Sequence, residues 1–106
     1  MSEGLDRLFA TIASRKDADP ATSYTAKLLA AGVEKCAKKF GEEATETVIA
    51  AIQKDKTELA KESADVLYHL AVLWAASGIT PDDVYAVLKA REAMSGLEEK
   101  ASRPKP

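Results

Sequence analysis

Two short acidic motifs, Glu43-x-x-Glu46 and Glu62-x-x-Asp65, carry the residues best suited by type and spacing to do chemistry. Residues three apart in a helix lie on neighbouring parts of one face, so each motif aims two carboxylates in a similar direction. Four carboxylates brought together repel one another, and each is costly to ionise without a cation between them. A hard divalent ion relieves that repulsion, and an all-oxygen donor set suits Mg²⁺ or Mn²⁺. Such an ion bridges phosphate oxygens and activates water. The chemistry to look for is therefore metal-assisted hydrolysis of a phosphate compound.

The elements around the motifs decide whether the acids meet. Val33, Ala37, Phe40, Ala44, Val48 and Ala51 recur at helical spacing, predicting a helix from about Val33 to Gln53. Lys54 and Asp55 mark a break, and a second helix is expected from about Thr57 to Ala76, closed by Gly78. A short break makes the two helices antiparallel neighbours. Both cross-hairpin pairs, Glu43 with Asp65 and Glu46 with Glu62, centre on Lys54. The acids should thus share one level, about 12 Å from the turn. On a helical wheel Glu43 borders the apolar stripe beside Thr47, while Glu62, Asp65 and His69 fall within about 60° of one another, near Leu73. Gly41 inside the first of these helices costs about 1 kcal/mol relative to Ala, which suits a place where backbone or ligand comes close.

The remaining segments also read as helices. Leu5, Leu8, Phe9 and Ile12 predict an amphipathic helix over Glu3 to Ser14. A shorter one follows from Thr22 or Ser23, either of which can cap it, to Ala31. Thr80-Pro81-Asp82-Asp83 is a helix start with a cap, a proline at the first position and acids at the positive end, and this helix is expected to reach about Ala93. From about Gly96 the tail is polar and reads as a mobile end. The expectation is one domain over 1–106, an all-α bundle of about four to five helices around a central antiparallel hairpin.

Composition narrows the function. Glycines number only 5 and aromatics make up 6% of 106 residues, which favours helices over sheets. A net charge of -2 is no footprint for nucleic-acid binding. No apolar run is long enough to span a membrane, and the first ten residues carry Glu3 and Asp6 in place of a secretory signal. The one cysteine, Cys36, forms no intrachain disulfide, and the chain reads as cytoplasmic. Cys36, Tyr68 and Trp74 read as packing residues. The Leu-Val-Trp run near the end of the fourth helix is apolar nearly all round. It should be the most buried part, more than a small monomer covers comfortably, so a dimer is expected.

Alternatives stay open on these residues alone. Acids three or four apart are common on solvated helix faces, and a helical interaction module would show the same pattern. Lys35 and Lys39 fall near Glu43 and Glu46 on the wheel, where they meet a phosphate or simply pair with acids one turn away. A di-iron bundle is disfavoured, because it needs Glu-x-x-His and the three-residue partners here are Glu46 and Asp65. His69 reads as a polar side chain near the site. No glycine-rich phosphate loop, zinc cysteine pair or nucleophile triad competes.

The paired motif resembles the all-α nucleotide pyrophosphohydrolase superfamily, which includes MazG-like and dUTPase-like enzymes. Longer segments narrow the resemblance. Ser23-Tyr24-Thr25-Ala26-Lys27-Leu28-Leu29, Lys38-Lys39-Phe40-Gly41-Glu42-Glu43-Ala44-Thr45-Glu46, Glu62-Ser63-Ala64-Asp65-Val66-Leu67-Tyr68-His69-Leu70 and the tail Ser95-Gly96-Leu97-Glu98-Glu99-Lys100-Ala101-Ser102-Arg103 are similar to the phosphoribosyl-ATP pyrophosphohydrolase family. The similarity runs from about Leu5 to Arg103. It implies hydrolysis of phosphoribosyl-ATP to phosphoribosyl-AMP and pyrophosphate with Mg²⁺, the second step of histidine biosynthesis, by a cytoplasmic homodimer or higher homo-oligomer in stand-alone form. It implies Glu43, Glu46, Glu62 and Asp65 as metal ligands, with Glu42 as an outer ligand or water-orienting group. Lys35, Lys39, Lys100 and Arg103 become phosphate contacts, Ser23, Tyr24 and Lys27 contacts to the phosphoribosyl side, and the tail a segment that folds over substrate. A house-cleaning pyrophosphatase acting on nucleoside triphosphates shares the acids but not the Ser-Tyr-Thr and Ser-Gly-Leu-Glu-Glu-Lys segments.

Overall fold

The computed structural model describes residues 2–92 and 96–104, and among them all regular structure is helical. The order is α1 (Glu3–Ser14), α2 (Tyr24–Ala31), α3 (Val33–Ile52), α4 (Lys56–Ser77), α5 (Pro81–Arg91) and α6 (Gly96–Ser102). Five of the six are those read from the sequence. The sixth is a short helix where a mobile tail was expected. The expected end of α5 at Ala93 and the tail residue Ser95 lie outside the described residues.

Each boundary has a chemical cause. Ser2 accepts from the Leu5 amide at 3.3 Å and starts α1. Ser23, not Thr22, caps α2, accepting from Ala26 at 3.1 Å. Asp55 caps α4, accepting from Glu58 at 3.0 Å. Thr80 and Asp83 form a reciprocal capping box at α5, with Pro81 in the first turn. Gly78 ends α4 in the left-handed region at φ 78°, a conformation that lacks the steric cost a Cβ would add. Lys54 takes the same region at φ 58° in the α3–α4 turn without that advantage.

α3 packs along α4 to form the central hairpin, α1 and α2 lie against it, and α5 leans on α1. The core gathers Ile12 from α1, Leu28 from α2, Cys36 from α3 and Ala71, Val72 and Trp74 from α4. The Cys36 thiol donates to the Leu28 carbonyl at 3.2 Å, tying α3 to α2. The Tyr85 hydroxyl donates to Asp6 at 3.1 Å and ties α5 to α1.

Two expectations change. The apolar end of α4 is covered within the chain, since Ala71, Val72 and Trp74 are all buried among residues of α1, α2 and α3. The stripe on α3, by contrast, is largely outward: Val33, Ala37, Val48 and Ala51 are exposed and only Phe40 and Ala44 are half-buried. The side of α3 turned inward carries Cys36, Glu43, Thr47 and Ala50. Hydrophobicity alone misread the face, because one carboxylate and one hydroxyl take inward positions that the wheel gave to alanine and valine. Gly41 has open space where a Cβ would stand, so no described neighbour approaches it closely.

Candidate active site

The hairpin brings three of the four acids together across its turn at Lys54, and Glu46, which is exposed, lies outside that group. Oxygens of Glu43, Glu62 and Asp65 all lie within 4.8 Å of one another. Glu46 shares side-chain hydrogen bonds with both Glu43 and Glu62. Burial pushes the Glu43 and Glu62 carboxyls above the usual carboxylate range, and the Glu46 hydrogen bond and neighbouring negative charges add to it.

One atom shows what the group lacks. Glu62 Oε2 is buried and has no hydrogen-bond partner among the described residues. A carboxylate oxygen in that position is costly unless something positive meets it. An orphaned oxygen, a three-carboxylate cluster and excess negative charge together fit a hard divalent cation.

Glu42 stands apart. It is exposed and pairs with Lys39, Nζ to Oε2 at 3.1 Å, and the Lys39 contact lowers its carboxyl. The same contact raises the Lys39 ammonium, whose field also reaches Glu43. Lys39 thus stands between the acids and a hollow of about 260 Å³ lined by Tyr24, Lys27, Leu28, Ala31, Lys35 and Lys39. Four residues singled out in the sequence, Tyr24, Lys27, Lys35 and Lys39, therefore share one concave surface beside the acids. Ser23 acts as the α2 cap and so fixes the helix that carries Tyr24 and Lys27. Lys100 and Arg103, on and just after α6, are exposed and do not line this hollow. On the turn side, Glu46 and Glu62 also face a smaller hollow with Ile49, Ala50, Gln53 and Glu58. A further hollow of about 510 Å³ lies at the far end of α4 among Phe9, Leu29, Ala75 and Ile79, with Asp17 the one acid in its lining.

Behind the acids stands a group the sequence undervalued. His69 is 6% exposed, with Nε2 3.9 Å from Glu43 Oε1. Its ring meets Tyr68 and Tyr24 edge-on, at centroid separations of 5.0 and 6.2 Å. Tyr24 stacks on Tyr68 at 6.5 Å, and the Tyr68 hydroxyl hydrogen-bonds Thr25. Burial, with Lys39 nearby, pushes the imidazole down from its ordinary value. The available signal was its position one helical turn after Asp65, at the edge of the apolar run.

An all-α hairpin that concentrates carboxylates beside a lysine-lined hollow is an arrangement suited to an anionic ligand accompanied by a cation. The comparisons make that reading specific. The family model for phosphoribosyl-ATP pyrophosphohydrolase matches residues 5–92. The chain is 63% identical over 99 residues to a protein of Parvibaculum lavamentivorans named phosphoribosyl-ATP pyrophosphatase, covering 93% of this chain and 91% of that one. Proteins of the same name from Cereibacter sphaeroides and Paracoccus denitrificans are each 60% identical, over 93% and 94% of this chain and 96% and 93% of theirs. This chain belongs to the phosphoribosyl-ATP pyrophosphohydrolase family.

Proposed function

We propose that the acidic hairpin and the lysine-lined hollow together hydrolyse phosphoribosyl-ATP to phosphoribosyl-AMP and pyrophosphate, the second step of histidine biosynthesis. The observation that carries the reading is the convergence of Glu43, Glu62 and Asp65 around the unpartnered Glu62 Oε2, in a chain of this family.

Glu43, Glu46, Glu62 and Asp65 would hold Mg²⁺, with Mn²⁺ as a substitute. When bound, the ion offsets charge on the triphosphate and makes water a better nucleophile. Tyr24 and Lys27 meet the phosphoribosyl side, while Lys35 and Lys39 face the phosphates as donors and point charges. Glu42 holds Lys39 in place through their ion pair. Water adds to the α-phosphorus, the α–β anhydride bond breaks, and pyrophosphate leaves with its charge met by the lysines. The water's proton goes to a carboxylate of the group. Lys100 and Arg103 complete the cationic side once substrate is bound.

The test is pyrophosphate release from phosphoribosyl-ATP, with and without Mg²⁺, by wild type and Glu46→Ala. Release that needs Mg²⁺ and is lost in the folded variant is the expected result. Release from ordinary nucleoside triphosphates but not from phosphoribosyl-ATP would assign the site to another substrate. No turnover of either by folded protein would sink the reading.

A homodimer in the cytoplasm goes with this function. Support comes from α3, where Val48 is 57% and Ile52 74% exposed one turn apart, a face that a second copy would cover. Light scattering at micromolar concentration should give twice the 11.3 kDa chain mass. A monomer at that concentration would refute the assembly.

A further inference from the structure

We infer that His69 is a positioning residue that aims the Glu43 carboxylate at the cation, an inference that rests on the divalent-ion reading above. The surroundings decide which ring nitrogen carries a proton. A lone pair on Nε2 would face Glu43 Oε1 at 3.9 Å and repel it, whereas an N–H there attracts it. A proton on Nδ1 would have no acceptor, since Nδ1 is buried without a hydrogen-bond partner among the described residues. The Nε2–H tautomer therefore points at Glu43. The present separation is just beyond a direct hydrogen bond, and such contacts commonly tighten when ligand binds.

The ring cannot turn away easily. It is buried, and Tyr24 and Tyr68 meet it edge-on, with Tyr68 itself tied to Thr25. Tyr24 also lines the lysine hollow. The chain from hollow to Tyr24, to His69, to Glu43 links the helix that meets substrate with the carboxylate that meets the ion. Loss of a group that orients a ligand in this way typically costs about 10–100-fold in metal affinity.

The experiment titrates Mn²⁺ into the substrate-free protein, following free Mn²⁺ by electron paramagnetic resonance, for wild type, His69→Phe, His69→Gln and His69→Asn. Thermal melts check folding. The Phe ring fills the space without an N–H, and the Gln amide can place an N–H where Nε2 stands, but the shorter Asn cannot. Mn²⁺ affinity should fall about 10-fold or more in His69→Phe and stay near wild type in His69→Gln. In turnover, kcat should fall in His69→Phe while KM for the nucleotide holds. Wild-type affinity in His69→Phe, or an equal loss in His69→Gln, would overturn the inference. If His69→Phe does not fold, the Gln and Asn variants decide: tighter Mn²⁺ binding by Gln supports the role, and equal binding overturns it. Wild type that binds no Mn²⁺ would instead remove the divalent-ion reading, and this inference with it.

Discussion

Glu62→Gln should cut pyrophosphate release by at least about 100-fold while raising the melting temperature of the metal-free protein at pH 7. The two effects share one cause. Burial, the Glu46 hydrogen bond and the charges of Glu46, Asp65 and Glu43 favour the protonated form of Glu62. Its folded pKa is therefore raised above the unfolded value. Such a group lends stability below the unfolded carboxyl pKa, about 4.3, and that stability is lost as pH rises through the folded value. At pH 7 an ionised Glu62 weighs against folding, and a neutral amide of similar shape removes the repulsion. At pH 4 wild type and variant should melt closely together. Mg²⁺ should reverse the order at pH 7, because a ligand at 100 times its Kd stabilises the state that binds it by about 2.7 kcal/mol. Thermal melts at both pH values, with and without Mg²⁺, give all four comparisons. A variant less stable than wild type at pH 7 without metal would refute the argument.

Trp74→Ala should have the largest effect on stability and little on chemistry. The indole is 8% exposed and packs in the cluster that joins four helices. Removing it costs the transfer energy and leaves a cavity, together about 3–5 kcal/mol. Small domains are stable by only about 5–15 kcal/mol, so a large share of the protein's stability would go. The residue lies about 13 Å along α4 from Asp65. Activity per folded molecule should hold, as measured at a urea concentration well below the midpoint. A fall in kcat at full folding would show that the core and the acids are more tightly coupled than their separation implies.

The helices and the level of the acids were legible because both follow from local rules. Ser23, Asp55, Thr80 and Gly78 stand where caps must stand, and the spacing across Lys54 fixed which acids would face. The helix face was harder to read. Val48 and Val33 belong to an apolar stripe on any wheel, yet both are exposed. The inward positions near Glu43 and Thr47 are chosen by the site and not by hydrophobicity, which is where sequence patterns are expected to fail. For α4 the pattern pointed inward correctly, but it could not show that α1 and α2 would cover Trp74. His69 was visible as a residue and invisible as a partner of Glu43, because its role depends on two tyrosines brought near by α2 and α4.

The turn at Lys54 has a consequence for how the molecule comes into being. The four acids belong to one continuous hairpin spanning 33–77, so no distant segment has to return before they meet. Contacts between residues close along the chain form early and quickly, since little loop entropy is lost in making them. The carboxylates can thus meet before α1 docks with Ile12, when less of the core is in place to hold them. Charge repulsion then acts on the folding barrier as well as on the finished protein. In this family member, the same residues that would draw a cation to the native site also set the electrostatic resistance met by the nascent hairpin.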